Sequence, residues 1–145
     1  MLQAVALVIV SPLVRFFMLT ELHDKPQYEK FAGMKSFPIE TMHPEEGQDE
    51  AIERLLREEV GGFSILSRPY RIGEVNMCFS TGETSKVFCF TALSPDEFCG
   101  NPADTDICPA GWLTESEIIS LKDGGRREVI PILQLFLASL EGERY

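Results

Sequence analysis

The sequence has few of the residues that build zinc sites. It contains four cysteines and two histidines in 145 residues. No two cysteines form a C-x-x-C pair, and both histidines lie far from them along the chain. Because structural zinc sites need closely spaced cysteine and histidine ligands, we expect no zinc site. The cysteines are Cys78, Cys89, Cys99 and Cys108.

Positive charge is also scarce. The chain has 13 lysines and arginines against 23 aspartates and glutamates, a net charge of −10. Such a surface repels the phosphate backbone, so DNA and RNA are not expected as partners. A small phosphorylated ligand is still compatible with this charge, because a divalent metal can bridge carboxylates and phosphates.

We also expect no targeting segment, although the first 22 residues are strongly apolar. They lack the basic start and small-residue cleavage site of a signal peptide, and Pro12 and Arg15 interrupt any membrane-spanning helix. We predict instead two strands, at residues 4–10 and 14–20, joined by a turn at Ser11-Pro12. No membrane partner and a cytoplasmic location follow. There, Cys99 and Cys108, which flank a loop, are expected to be reduced rather than disulfide-bonded.

The remaining pattern predicts one domain with helices packed on a mixed sheet, since 44% hydrophobic residues suffice for one core. Strands are predicted at residues 63–71, 74–79, 85–93 and 112–113, with a turn at 80–85 and irregular chain at 35–47. Cys78 and Cys89 should pack in these strands as small hydrophobes. Thr114 and Glu117 form a capping box that starts a short helix, and a final helix is predicted at 126–140.

A helix predicted at residues 48–60 carries a carboxylate on its apolar side. Glu59 projects from the middle of the apolar stripe at about 100° per residue. A carboxylate that faces a core must be protonated, paired or bound to a cation. Pairing with an arginine or bending toward solvent at the helix end are the alternatives. The stripe consists of Ala51, Ile52, Leu55, Leu56 and Val60.

The stretch over residues 37–61, FPIETMHPEEGQDEAIERLLREEVG, resembles the signature of the Nudix hydrolases. That pattern is G-x5-E-x7-R-E-U-x-E-E-x-G-U, where U is a bulky apolar residue. An apolar N-terminal hairpin and the segment GWLTESEI extend the resemblance over the whole chain. The resemblance implies a single Nudix-like domain at residues 1–145, with an α/β/α sandwich around a mixed β-sheet. The matching positions are Glu46, Arg54, Leu56, Glu58, Glu59 and Gly61.

The resemblance also implies an activity. Family members are pyrophosphohydrolases that cleave a nucleoside diphosphate linked to some other group X, with Mg²⁺ or Mn²⁺. By similarity, Glu58 and Glu59 would be the catalytic, metal-binding carboxylates, and Glu46 and Arg54 a structural ion pair. The ligand would be a small nucleotide-like molecule, and a homodimer is compatible because many relatives are dimers.

Several departures from the pattern fall at important positions. Leu55 stands where a metal-binding glutamate is usual, while Ile39 and Glu40 replace two glycines and Gly62 replaces an apolar residue. Loss of one strong electrostatic group can cost about 3–4 kcal/mol of barrier, a factor of about 10² to 10³. The sequence therefore leaves three functions open: a weakened hydrolase, a catalytically silent domain that binds a nucleotide or a protein, or a scaffold or dimerisation module whose resemblance is only structural.

Other carboxylates could compensate for Leu55. Glu40 is a candidate third metal ligand, and His43 could reach the metal from the same loop. In the acidic loop at residues 94–109, a carboxylate could act as the base or as an extra ligand. Each of these could equally be solvated surface. The loop candidates are Glu97, Asp104 and Asp106, with Asp96 beside them.

Overall fold

The computed structural model describes residues 1–61 and 67–142. Within them, seven strands form one mixed sheet in which β3, β2, β1, β6 and β5 follow one another. In addition, β4 pairs with β1 and β7 pairs with β2. The strands are β1 (Leu2–Val10), β2 (Phe16–Glu21), β3 (Lys35–Ser36), β4 (Ile39–Thr41), β5 (Tyr70–Cys78), β6 (Thr84–Leu93) and β7 (Ile107–Leu113).

Strand β1 is the centre of the sheet and is apolar on both faces. It pairs in parallel with β6 along its whole length and antiparallel with β4 over residues 4–6. Its odd-numbered residues from Val5 to Ile9 enter one core and its even-numbered residues from Ala4 to Val10 enter the other. A strand covered on both sides reads as a continuous apolar run, which explains the composition of the N-terminus.

One helical layer covers each face. Helix α1 (Gln48–Leu55) packs on the odd-numbered side, while α2 (Glu115–Ile119) and α3 (Val129–Gly142) cover the even-numbered side. The predicted α/β/α sandwich around a mixed sheet is therefore confirmed. No helix in the described ranges is long and apolar enough to cross a membrane.

The predicted helix at 48–60 is continuous, but it changes type within its length. It is α-helical to Leu55 and then widens into a π-turn over Leu56–Val60. The turn closes where the Gly61 N–H donates to the Leu56 carbonyl at 2.9 Å. Gly61 has φ 99°, and a Cβ there would lie 2.5 Å from the Asn101 carbonyl oxygen. Only glycine fits this stop, because it tolerates both the positive φ and the close approach.

Several predicted boundaries move. In the N-terminal hairpin, β2 begins at Phe16 rather than at 14. Val14 belongs to the turn instead, because it adopts φ 56° and its N–H donates to the Ser11 carbonyl. The range 35–47, predicted to be irregular, contains β3 and β4. The break predicted between 71 and 74 is instead a bulge within β5 at Ile72, between Arg71 and Gly73. Residues 63–66 of the strand predicted at 63–71 lie outside the described residues.

The C-terminal half follows the prediction more closely. The Thr114 side chain accepts from the Glu117 N–H at 3.2 Å, so the predicted capping box is confirmed. The strand predicted at 112–113 extends back to Ile107, and the final helix starts at Val129, which places Pro131 in its first turn. Cys89 is buried as predicted, whereas Cys78 is exposed at the end of β5 and does not pack as a hydrophobe.

Candidate active site

Arg54 on α1 is the centre of the polar site. Its side chain is 10% exposed. Its Nε and Nη2 donate to the two carboxylate oxygens of Glu46, at 2.8 and 2.9 Å. Nη2 also donates to the Thr41 carbonyl at 2.7 Å. The Arg54 hydrogen bonds, with a further one from the His43 backbone, lower the pKa of Glu46 to about 2. The pair fastens the chain after β4 to the helix, with the planar geometry that arginine offers to carboxylates.

Arg54 also receives two further carboxylates. Its Nη1 lies 3.0 Å from Glu40 on β4 and 3.2 Å from Glu58 in the π-turn. Burial raises the pKa of Glu40 to about 7, with a further contribution from neighbouring Glu58, while Arg54 opposes both. One guanidinium therefore serves three carboxylates, and the negative charge around it is incompletely neutralised.

Glu59 is the most deeply buried carboxylate of the site, with 6% of its surface exposed. Among the described residues, no lysine, arginine or histidine lies within ion-pair distance of it. Burial, followed by the charges of Glu40 and Asp104, raises its pKa to about 9. Without a bound cation, Glu59 is thus protonated at neutral pH. Of the two alternatives for Glu59, pairing with an arginine is not seen within the described part of the chain.

Three carboxylates converge at this point. Glu40, Glu59 and Asp104 each offer an oxygen, and these oxygens lie within 4.8 Å of one another. Asp104 comes from the acidic loop, where its N–H donates to the Glu58 carbonyl at 3.0 Å. Its own Oδ1 accepts from the Asp106 N–H at 2.8 Å. The loop is therefore fastened to the π-turn by backbone hydrogen bonds that set the position of Asp104.

The other candidate residues lie outside this group. Glu58 points to Arg54, and its side chain is 39% exposed. Asp106 pairs with Lys25 at 3.0 Å. His43 is exposed and contributes its backbone N–H to Glu46.

Glu97 forms hydrogen bonds with residues outside the carboxylate site. It accepts from the Ser11 hydroxyl at 2.7 Å and from Arg15 at 2.8 Å. These contacts tie the start of the acidic loop to the N-terminal hairpin. Glu97 therefore stabilises the loop and does not join the three converging carboxylates. The roles assigned to all these residues from the sequence remain predictions.

Leu55, which stands where the resembled pattern has a glutamate, is fully buried in the core between α1 and the sheet. The carboxylate of Glu40 reaches the site from the neighbouring strand instead. Three oxygen donors of this kind suit a hard divalent cation such as Mg²⁺ or Mn²⁺. The residues present therefore fit the metal that the sequence pattern implies.

Solved structures with the Nudix fold superimpose on most of the chain. A NUDIX hydrolase from Nitrosomonas europaea matches with a TM-score of 0.75 and 23% identity, over 94% of this chain and 88% of its own. The chain therefore has the Nudix fold, as the sequence resemblance predicted.

Two further structures with this fold were solved with bound partners. The C-terminal domain of mouse MUTYH, in complex with human PCNA, matches with a TM-score of 0.65 and 19% identity, over 95% of this chain and 88% of its own. The NUDIX domain of Shewanella oneidensis NrtR, in complex with ADP ribose, matches with a TM-score of 0.62 and 14% identity, over 84% of each chain. No protein-family model and no curated protein matches the sequence.

Proposed function

We propose that this protein is a metal-dependent pyrophosphohydrolase of the Nudix type that acts on a nucleoside diphosphate linked to a second group. The observation that carries the proposal is the convergence of Glu40 and Asp104 on the buried carboxylate of Glu59. Three ionised carboxylates within 4.8 Å would repel one another, and a divalent cation would allow all three to be ionised together. The likeness to a NUDIX hydrolase supports the same reading.

Each residue has a distinct part in this proposal. Glu40, Glu59 and Asp104 would hold Mg²⁺ or Mn²⁺, with Glu40 taking the place of the glutamate that Leu55 replaces. Bound there, the metal would neutralise phosphate charge and help to generate hydroxide from water. Arg54 would position Glu40 by the 3.0 Å hydrogen bond and keep one flank of the site rigid. Glu58, at the exposed edge, would lie nearer to the ligand or to a second ion.

A test follows from comparing Glu59→Gln with Glu53→Gln, since Glu53 is exposed on the outer side of α1. Metal binding would be measured by calorimetry with MnCl2 and MgCl2. Turnover would be measured on ADP-ribose, dinucleoside polyphosphates and nucleoside triphosphates. We expect metal-dependent turnover that falls at least about 10²-fold in Glu59→Gln and is unchanged in Glu53→Gln. Equal metal affinity and equal turnover in all three proteins would contradict the proposal.

A second candidate function rests on Leu55. Its complete burial commits that helix position to packing, which favours a domain that binds a nucleotide or a protein without cleaving it. The NrtR domain bound to ADP ribose and the MUTYH domain bound to PCNA are precedents for such complexes on this fold. Nucleotide binding by calorimetry, with no turnover of any substrate in the panel, would favour this second candidate.

A further inference from the structure

A cavity of about 240 Å³ lies on the opposite side of β4 from the carboxylates. Ile39 and Thr41 line it, and Glu40 between them points to Arg54, because successive residues of a strand face opposite sides. Among the described strands, β4 pairs with β1 alone, and on its other edge the Thr41 carbonyl accepts from Arg54 Nη2 at 2.7 Å. This three-residue strand separates the cavity from the carboxylate site, so one ligand that contacts both would pass over the edge that Arg54 contacts.

The charged residues that line the cavity are mostly cations. They are Lys25, Lys30, Arg126 and Glu128. Tyr28 and Phe79 contribute aromatic walls with their rings edge to face, 6.1 Å apart. A liquid water occupies about 30 Å³, so the cavity has room for several groups of that size. Its chemistry is that of an apolar pocket with a few polar groups that would orient a ligand.

Two of the three cations are neutralised by the protein. The Arg126 side chain lies between Glu21 at 3.0 Å and Glu128 at 2.6 Å and is 9% exposed. Lys25 pairs with Asp106 at 3.0 Å. Neither needs a ligand to complete its partners.

Lys30 is different. Within the described residues, no carboxylate lies within ion-pair distance of its ammonium group, which lies 5.7 Å from the centre of the Tyr28 ring. Burial, and then the charges of Arg126 and Lys25, lower the pKa of Lys30, while the charges of Glu21 and Glu128 partly oppose them. The two carboxylates act on Lys30 from a distance, so a half-buried ammonium without a direct ionic partner would still gain a charge-assisted contact from an anion in the cavity.

The backbone presents Lys30 to the cavity in a fixed position. Lys25 and Lys30 exchange two backbone hydrogen bonds, at 2.8 and 3.2 Å, in an antiparallel bridge. Residues directly opposite in such a bridge project to the same side, so both amines reach the cavity from one short loop. This preorganisation reduces the entropy that a ligand would have to overcome to order them.

We infer that this cavity binds an anionic group, a phosphate or a carboxylate, with Lys30 as the residue that contacts it. The inference rests on the proposed function in one respect, which is that the anionic group belongs to the same nucleotide-like ligand. The second group of the substrate would then carry a negative charge of its own, in addition to the diphosphate.

The test uses anions alone, without metal or nucleotide, so that its result is independent of hydrolysis. Inorganic phosphate and acetate would be titrated in EDTA at constant ionic strength, and binding would be followed by NMR amide shifts. We expect saturable shifts of the residues around the cavity, with Tyr28 and Met77 among them. The anion that binds with the higher affinity would identify the group as phosphate or carboxylate.

Three variants locate the binding. Lys30→Gln should lower the affinity about tenfold or more, because a charge-assisted contact is lost. Lys30→Arg should retain most of the affinity, and Lys122→Gln, at an exposed residue outside the cavity, should leave it unchanged. Shifts that never saturate, or equal affinity in Lys30→Gln, would overturn the inference. Anion binding without metal-dependent turnover would leave the inference standing while the proposed hydrolysis fails, and turnover without anion binding would do the reverse.

Discussion

Replacing Glu59 by glutamine should stabilise the metal-free protein at alkaline pH. The pKa of Glu59 is about 9 in the folded chain, against an ordinary value of 4.5. The folded state therefore binds more protons than the unfolded state between these values, and stability falls as the pH rises through that window. Glutamine has the same shape, stays neutral and can donate to Glu40 as the protonated acid does, so it removes this penalty.

The magnitude follows from the pH interval. At pH 8 the folded protein keeps a proton on Glu59, although this pH lies 3.5 units above the ordinary pKa of 4.5. At about 1.4 kcal/mol per unit this is about 5 kcal/mol, and sharing of the proton with Glu40 reduces it. We expect Glu59→Gln to raise the free energy of unfolding by about 2–5 kcal/mol at pH 8 and by less than about 1 kcal/mol at pH 5.

The assay is urea unfolding in EDTA at the two pH values, repeated at pH 8 with MnCl2. The exposed Glu53→Gln should stay within about 0.5 kcal/mol of the parent throughout. Manganese should stabilise the parent and not Glu59→Gln, because only the parent offers the carboxylate. A Glu59→Gln protein that is less stable than the parent at both pH values would refute the reasoning. It would mean that Glu59 is ionised and held by a cationic group of the protein.

Three further predictions concern the framework of the site. Arg54→Ala should lower the free energy of unfolding, measured in urea, by about 3–5 kcal/mol, since three carboxylates lose their shared partner. Arg54→Lys should recover only part of this stability, because lysine cannot make two parallel hydrogen bonds to one carboxylate. Full recovery of stability in Arg54→Lys would contradict the bidentate role of Arg54. Leu55→Glu should cost at least about 3 kcal/mol without raising turnover, because the position lies in the core; higher metal-dependent activity would contradict this. Gly61→Ala should cost about 2 kcal/mol or more, measured as a lower melting temperature, because the Asn101 carbonyl occupies the space for a Cβ; an unchanged melting temperature would show that the stop can relax.

The sandwich was predictable because its signals are local and strong. The apolar run of β1, the stripe on α1 and the capping box at Thr114 each specify one element and its buried side. The extent of β4 and β7 was not predictable, because short strands are defined by the partners they pair with rather than by their own composition.

The candidate site was predictable in part. The burial of Glu59 follows from its place in the stripe, and Glu40 is a candidate ligand because it precedes the helix closely enough to reach the metal. The selection of Asp104 from among several acidic residues depends on backbone hydrogen bonds between a loop and a helix end, which no local pattern encodes. The cavity lined by Lys30 was not predictable from the sequence, since its walls come from segments far apart in the chain.

The π-turn at Leu56–Val60 also affects how this sequence should be compared with others. A π-turn holds one residue more than an α-turn over the same stretch of helix. Relative to a helix that stays α-helical, every residue after the turn is therefore displaced by one position in space for the same position in sequence. An ungapped sequence alignment through residues 56–60 can therefore equate side chains that face different directions. A structure-based alignment that places a gap there can equate residues that stand at different positions of the sequence signature.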